Sequence, residues 1–146
     1  MKTAVIAILF FTVSLNNVLA EEHASLDGKV FSGELNKAGD SKSDKDTLTF
    51  KGGKFLSAAC VAYGFREAPY TVSEKDGVTT FTATATNDKG ESMAWTGTIK
   101  GGAVEATAVN TSPSGATSYT FKGKAGAMKV KGDEHPKGEH PEHPKP

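Results

Sequence analysis

Met93-Ala94-Trp95-Thr96-Gly97-Thr98-Ile99-Lys100 alternates with a period of two: Met93, Trp95, Gly97 and Ile99 share one face, and Ala94, Thr96, Thr98 and Lys100 the other. Successive side chains of a strand point to opposite faces, so this pattern predicts a half-buried β-strand with Trp95 inward. Gly101-Gly102 follows, and then Ala103-Val104-Glu105-Ala106 alternates again, which makes the whole stretch a hairpin.

The same period recurs on both sides. It places Phe31, Gly33 and Leu35 together, then Leu48 with Phe50, Phe81 with Ala83 and Ala85, Val104 with Ala106 and Ala108, and Tyr119 with Phe121. Gly52-Gly53, Asp76-Gly77, Asn87-Asp88-Lys89-Gly90 and Pro113-Ser114-Gly115 separate these runs. Glycine supplies the positive φ that tight hairpins need. Strands are predicted over Lys29 to Leu35, Asp46 to Lys51, Lys54 to Ala58, Tyr70 to Glu74, Val78 to Thr86, Ser92 to Lys100, Ala103 to Thr111 and Ala116 to Lys122. About eight short strands in succession, with no helical periodicity, predict an all-β fold: a single antiparallel up-and-down β-barrel, closed so that no edge is left to template aggregation. The domain spans roughly residues 25–123.

The barrel's inward faces carry both large and small residues. Gly33, Ala83, Ala85, Gly97, Ala106 and Ala108 leave room for a cavity, and Phe31, Phe50, Phe81, Trp95, Tyr119 and Phe121 are able to fill it. An eight-stranded barrel is just wide enough to be packed with side chains or to hold one small ligand. Both outcomes stay open at this point.

The segment from Trp95 to Ala106, together with Tyr119-Thr120-Phe121-Lys122-Gly123, resembles the calycins, the small up-and-down barrels that include lipocalins and avidins. The resemblance implies the barrel fold and a ligand in its interior. The Gly-x-Trp that lipocalins carry near the first strand is missing, since Leu26-Asp27-Gly28-Lys29-Val30-Phe31 holds no tryptophan. The run Ala59 to Tyr70 is similar to a stretch in uncharacterised exported bacterial proteins, which implies no activity.

The two ends of the chain have their own character. Lys2, an apolar run from Ala4 to Leu15 and the Val18-Leu19-Ala20 exit predict a signal peptide over residues 1–20, cleaved after Ala20. The run falls short of the ~20 residues a membrane-spanning helix needs, so no membrane insertion is expected after cleavage and the mature chain is expected in the periplasm or outside the cell. Residues 124–146 are expected to be a disordered tail, because proline at this density removes backbone donors and favours extended polyproline geometry. Glu-His-Pro occurs three times there. His135, His140 and His143 offer weak ligation of zinc, nickel or copper, against the plainer role of a solubilising tail that nothing preorganises.

Charge and residue types exclude much. The chain has 17 basic and 17 acidic residues, and Arg66 is its one arginine. Without clustered cations there is no footprint for nucleic acid or an anionic membrane. No histidine stands between Ala24 and Glu134, which removes Ser-His and Cys-His nucleophile systems and histidine-held catalytic zinc from the domain. No cofactor and no enzymatic activity are expected. Cys60, the one cysteine, has apolar neighbours and reads as a small buried hydrophobe. Asp40, Asp44 and Asp46 fall in a Ser/Lys/Asp-rich loop and read as solvated turn residues.

The pattern breaks only between Ala58 and Pro69, which therefore reads as a lid or a recognition loop. The expected function is binding of a small apolar ligand inside an exported, monomeric, non-enzymatic barrel. Phe50, Phe81, Trp95 and Tyr119 would line the site, with Tyr63 or Arg66 as the polar contact. The alternative is a filled barrel that binds a protein partner, as an inhibitor or envelope accessory module, through threonine-rich outer strands.

Overall fold

The computed structural model describes residues 24–127. Eight strands run β1 Val30–Lys37, β2 Ser43–Lys51, β3 Lys54–Ser57, β4 Ala68–Lys75, β5 Val78–Thr86, β6 Ser92–Lys100, β7 Ala103–Ser112 and β8 Gly115–Ala125, with one short helix, α1 Ala58–Val61, between β3 and β4. Each strand pairs antiparallel with the next, and β8 returns to β1 to close an up-and-down barrel. The expected fold is thus observed. The predicted signal peptide and the tail histidines His135, His140 and His143 lie outside the described residues.

The two ends of the barrel differ, and the turn chemistry is the reason. At one end β2–β3, β4–β5 and β6–β7 are joined by Gly52-Gly53, Asp76-Gly77 and Gly101-Gly102, whose residues all have positive φ. Two consecutive positive φ values are the mark of the tight turn that matches strand twist. These hairpins cannot bend over the barrel mouth, and the segment before β1 closes that end instead. Leu26 is buried there. Asp27 accepts from Gly53 N at 2.9 Å and from the Tyr70 hydroxyl at 2.8 Å, and Leu26 N donates to the same hydroxyl at 3.0 Å. The Gly53 amide first, and then the Tyr70 hydroxyl, hold the Asp27 carboxyl below its usual range.

The opposite end carries the longer connections, including α1. Strand β2 begins three residues earlier than the sequence predicts, at Ser43. This extension corrects the assignment of Asp46 to a solvated loop: Asp46 is 1% exposed on the inward face of β2. Its carboxylate accepts from Ser57 Oγ at 2.6 Å, Thr47 N at 2.7 Å and Ala59 N at 2.9 Å. A buried carboxylate persists only when its lone pairs are used, and here the start of α1 uses them.

The interior is filled. Phe31, Phe50, Phe55, Phe81, Trp95 and Phe121 are each at most 2% exposed. Phe50 sits at the hub, with ring centroids 5.0 Å from Phe81, 5.1 Å from Tyr70 and 5.3 Å from Phe55, the first two edge to face. Phe55 continues the cluster to Trp95 at 5.3 Å. The small inward residues make space for these rings: a Cβ on Gly97 would lie 2.4 Å from Phe81 Cε1 and 2.8 Å from the Ala106 Cβ. Large and small positions therefore compensate one another across the barrel.

Candidate functional site

The chain between β3 and β4 builds the open end of the barrel. Ser57 caps α1 by accepting from Cys60 N at 3.4 Å while its hydroxyl donates to Asp46. Gly64, at φ 84°, lets the chain leave α1, with Gly64 N donating to Val61 O and Phe65 N to Cys60 O. Asn87, from the β5–β6 turn, then ties this segment to the barrel: its amide donates to Tyr63 O at 3.2 Å and to Glu91 Oε2 at 2.7 Å, and its carbonyl accepts from the amides of Lys89 and Glu91. As a result Cys60 and Phe65 point down into the barrel, and Val61 and Tyr63 stand out of it at 52% and 69% exposure.

Beneath this cap lies a cleft of about 80 Å³, lined by Leu35, Asp44, Ala59, Cys60, Tyr63, Phe65, Met93, Asn110 and Tyr119. Its lining is mainly apolar or aromatic, and Asp44 is its one charged residue. The volume is about half the ~150 Å³ of an apolar cavity that accepts benzene. Burial raises the Cys60 thiol above its ordinary range against an opposing hydrogen bond from Ser57, and the Asp46 carboxylate adds a smaller upward push. Burial likewise raises the Tyr119 phenol, helped by Tyr63 and Cys60. Both groups are protonated at neutral pH, so neither a thiolate nucleophile nor a phenolate is available at the cleft.

The residues expected to line a ligand site separate into three groups. Tyr63 and Tyr119 meet at the cleft. Phe50, Phe81 and Trp95 lie in the aromatic core, in contact with other rings rather than with open space. Arg66 turns away to Asp88, 3.4 Å distant, with both side chains largely in solvent. A pair so exposed contributes little. The residues that hold the site together, Asp46 and Asn87, were not anticipated. For Asp46 a signal existed, since Asp44 and Asp46 continue the inward parity of Leu48 and Phe50. Asn87 carried none beyond its turn context.

A second feature lies outside the barrel. The register aligns Thr71, Thr82, Thr96, Thr107 and Thr120 into one outward row across β4 to β8. The Thr71 and Thr82 hydroxyls are 2.6 Å apart. A neighbouring row holds Ser73, Thr80 and Thr98 and ends in Glu105 and Lys122, which pair at 3.4 Å.

Among the described residues, no three His, Cys, Asp or Glu side chains converge as a metal site would require. Compared with known proteins, the chain has no significant match to any family model, curated protein or solved structure.

Proposed function

We propose that this protein is an exported, non-enzymatic binding barrel of calycin-like architecture that takes a small ligand group at its α1 end, not along its axis. The observation that carries this reading is the division of the interior. The waist is packed with rings, while the cleft under α1 joins apolar walls to two phenols and an amide, the combination that ligand sites use for contact area and orientation. The absence of histidine from the domain and the protonated thiol and phenol support binding without turnover. The leader read in residues 1–20 supports export to the periplasm or beyond.

An NMR titration followed at the backbone amides tests the reading. A fragment-sized apolar probe such as cyclopentanol is expected to shift Ala59, Tyr63, Met93 and Asn110 saturably. A long-chain lipophile is expected to leave Trp95 fluorescence unquenched. Quenching of Trp95 by the lipophile, with those amides unmoved, would overturn the mouth site in favour of an axial one.

The threonine row favours a second reading, in which the filled barrel presents β4 to β8 to a protein partner. That face is broad, polar and nearly uncharged. Replacing Thr96 and Thr107 by Lys would then abolish capture of the partner and leave the cleft titration intact.

A further inference from the structure

Resting on the mouth-cleft reading above, we propose that the group this cleft accepts is a small alkylated ammonium ion, such as the trimethylammonium head of a choline-like compound. Three aromatic rings, Tyr63, Phe65 and Tyr119, line it together with Met93. Ring faces carry negative quadrupole density that attracts a cation, most strongly where water is thinned out. The soft thioether of Met93 packs well against methyl groups.

Asp44 supplies the charge. It occupies the inward parity of β2 beyond Asp46 and stands opposite Leu35 in the register, which brings its side chain to the cleft rim. Asp46, one step deeper, is saturated by Ser57, Thr47 and Ala59, whereas Asp44 forms no ion pair among the described residues. No lysine or arginine lines the cleft. Lys45 lies on the opposite face of β2, across from Glu34. Lys37, opposite Tyr119 at the end of β1, is exposed and outside the lining. An anion would meet the Asp44 carboxylate with no cation in the lining to offset it, which favours a cation at this site.

Size gives the second constraint. A cleft of about 80 Å³, half of one that takes benzene, encloses roughly three non-hydrogen atoms, so part of the trimethylammonium head is seated in it and the rest of the molecule stays in solvent beside Tyr63. A quaternary ammonium head has no N–H to satisfy, so it loses no hydrogen bond where it rests against the apolar walls of Leu35, Ala59 and Met93. A primary ammonium would forfeit hydration without full compensation.

The test compares choline with its uncharged carbon isostere, in which tert-butyl replaces trimethylammonium, at fixed ionic strength. The intact mature protein is followed by NMR at the Ala59, Tyr63, Met93 and Asn110 amides. Choline is expected to bind about fivefold or more tightly than the isostere, the size of a cation–π and carboxylate contribution at a half-exposed site. Asp44→Asn and Tyr63→Ala, both at exposed positions that leave the core untouched, should each shrink that preference while thermal unfolding stays unchanged. Equal binding of choline and isostere overturns the ammonium assignment and leaves the cleft reading standing. If neither moves these amides, both fall together. A preference that survives Asp44→Asn and Tyr63→Ala unchanged also overturns the assignment.

Discussion

Gly97 faces Phe81 across the β5–β6 register and Ala106 across β6–β7. With a Cβ placed 2.4 Å from the Phe81 ring, Gly97→Val has to displace the cluster centred on Phe50. Overpacking of this kind costs about 1–3 kcal/mol, expected as a lowered urea midpoint, while Ala94→Val on the outer face of the same strand stays within about 0.5 kcal/mol. Equal stability of the two variants would mean that the ring does not occupy that space. The sequence left this residue ambiguous for a physical reason. Period-two patterning reports which side chains point inward, but whether an inward glycine lines a void or accommodates a neighbour's ring depends on cross-strand register, which pattern alone does not set. At Asp27 the carboxyl is held below its ordinary value of 3.8 by donors from Gly53 and Tyr70. A lowered folded-state value stabilises the fold above the ordinary carboxylate range, and that stabilisation disappears as pH falls through the lowered value. The Gly53 amide shift should therefore titrate with a midpoint below 3.8 and lose its titration in Asp27→Asn. A midpoint at or above the ordinary value would contradict the latch.

Among the elements, α1 is too short to stand alone: isolated helices of fewer than ~12 residues are marginal in water. It exists because Asp46 and Ser57 fix its first turn and Asn87 fixes the chain beyond its last. Asp46→Ala leaves the buried Ser57 Oγ–H and the half-buried Ala59 N–H without their acceptor, at up to about 1–3 kcal/mol for each donor. The expected result is a loss of roughly 3 kcal/mol in urea unfolding, with the Ala59 and Cys60 amides losing protection from exchange before those of β6 and β7. A loss below about 0.5 kcal/mol would show that the carboxylate is not the anchor. The seam beside α1 is also the weakest in the barrel, because β3 and β4 pair only through Lys54↔Pro69 and Phe55↔Ala68. Every strand was legible in alternation and turn residues, and the break at Ala58 to Pro69 correctly marked the cap. The start of β2 was not, because Ser43-Asp44-Lys45-Asp46 has the composition of a turn. Pairing with β1 and the donors of α1 overrode that local preference, as tertiary context does for strand propensity in general.

For the molecule as a whole, the arrangement divides labour between its ends. Tight glycine hairpins and the Leu26 stopper close one end, rings occupy the waist, and the β1–β2, β3–β4 and β5–β6 connections, the longest among the described residues, gather at the other. Closure removes sheet edges, and the α1 mouth and the outer threonine face are the two surfaces of the described residues to which the proposed readings assign recognition. Half of the residues expected to line a ligand site, Phe50, Phe81 and Trp95, belong to the packed aromatic core, and Tyr63 and Tyr119 belong to the opening. The most direct measurement of this division is a crystal of the mature protein under xenon, which enters empty apolar space and is excluded from packed space. Xenon density is expected beside Met93, Cys60 and Phe65 under α1. Density between Phe50, Phe81 and Trp95, with none at the mouth, would contradict a filled waist and move the site to the axis.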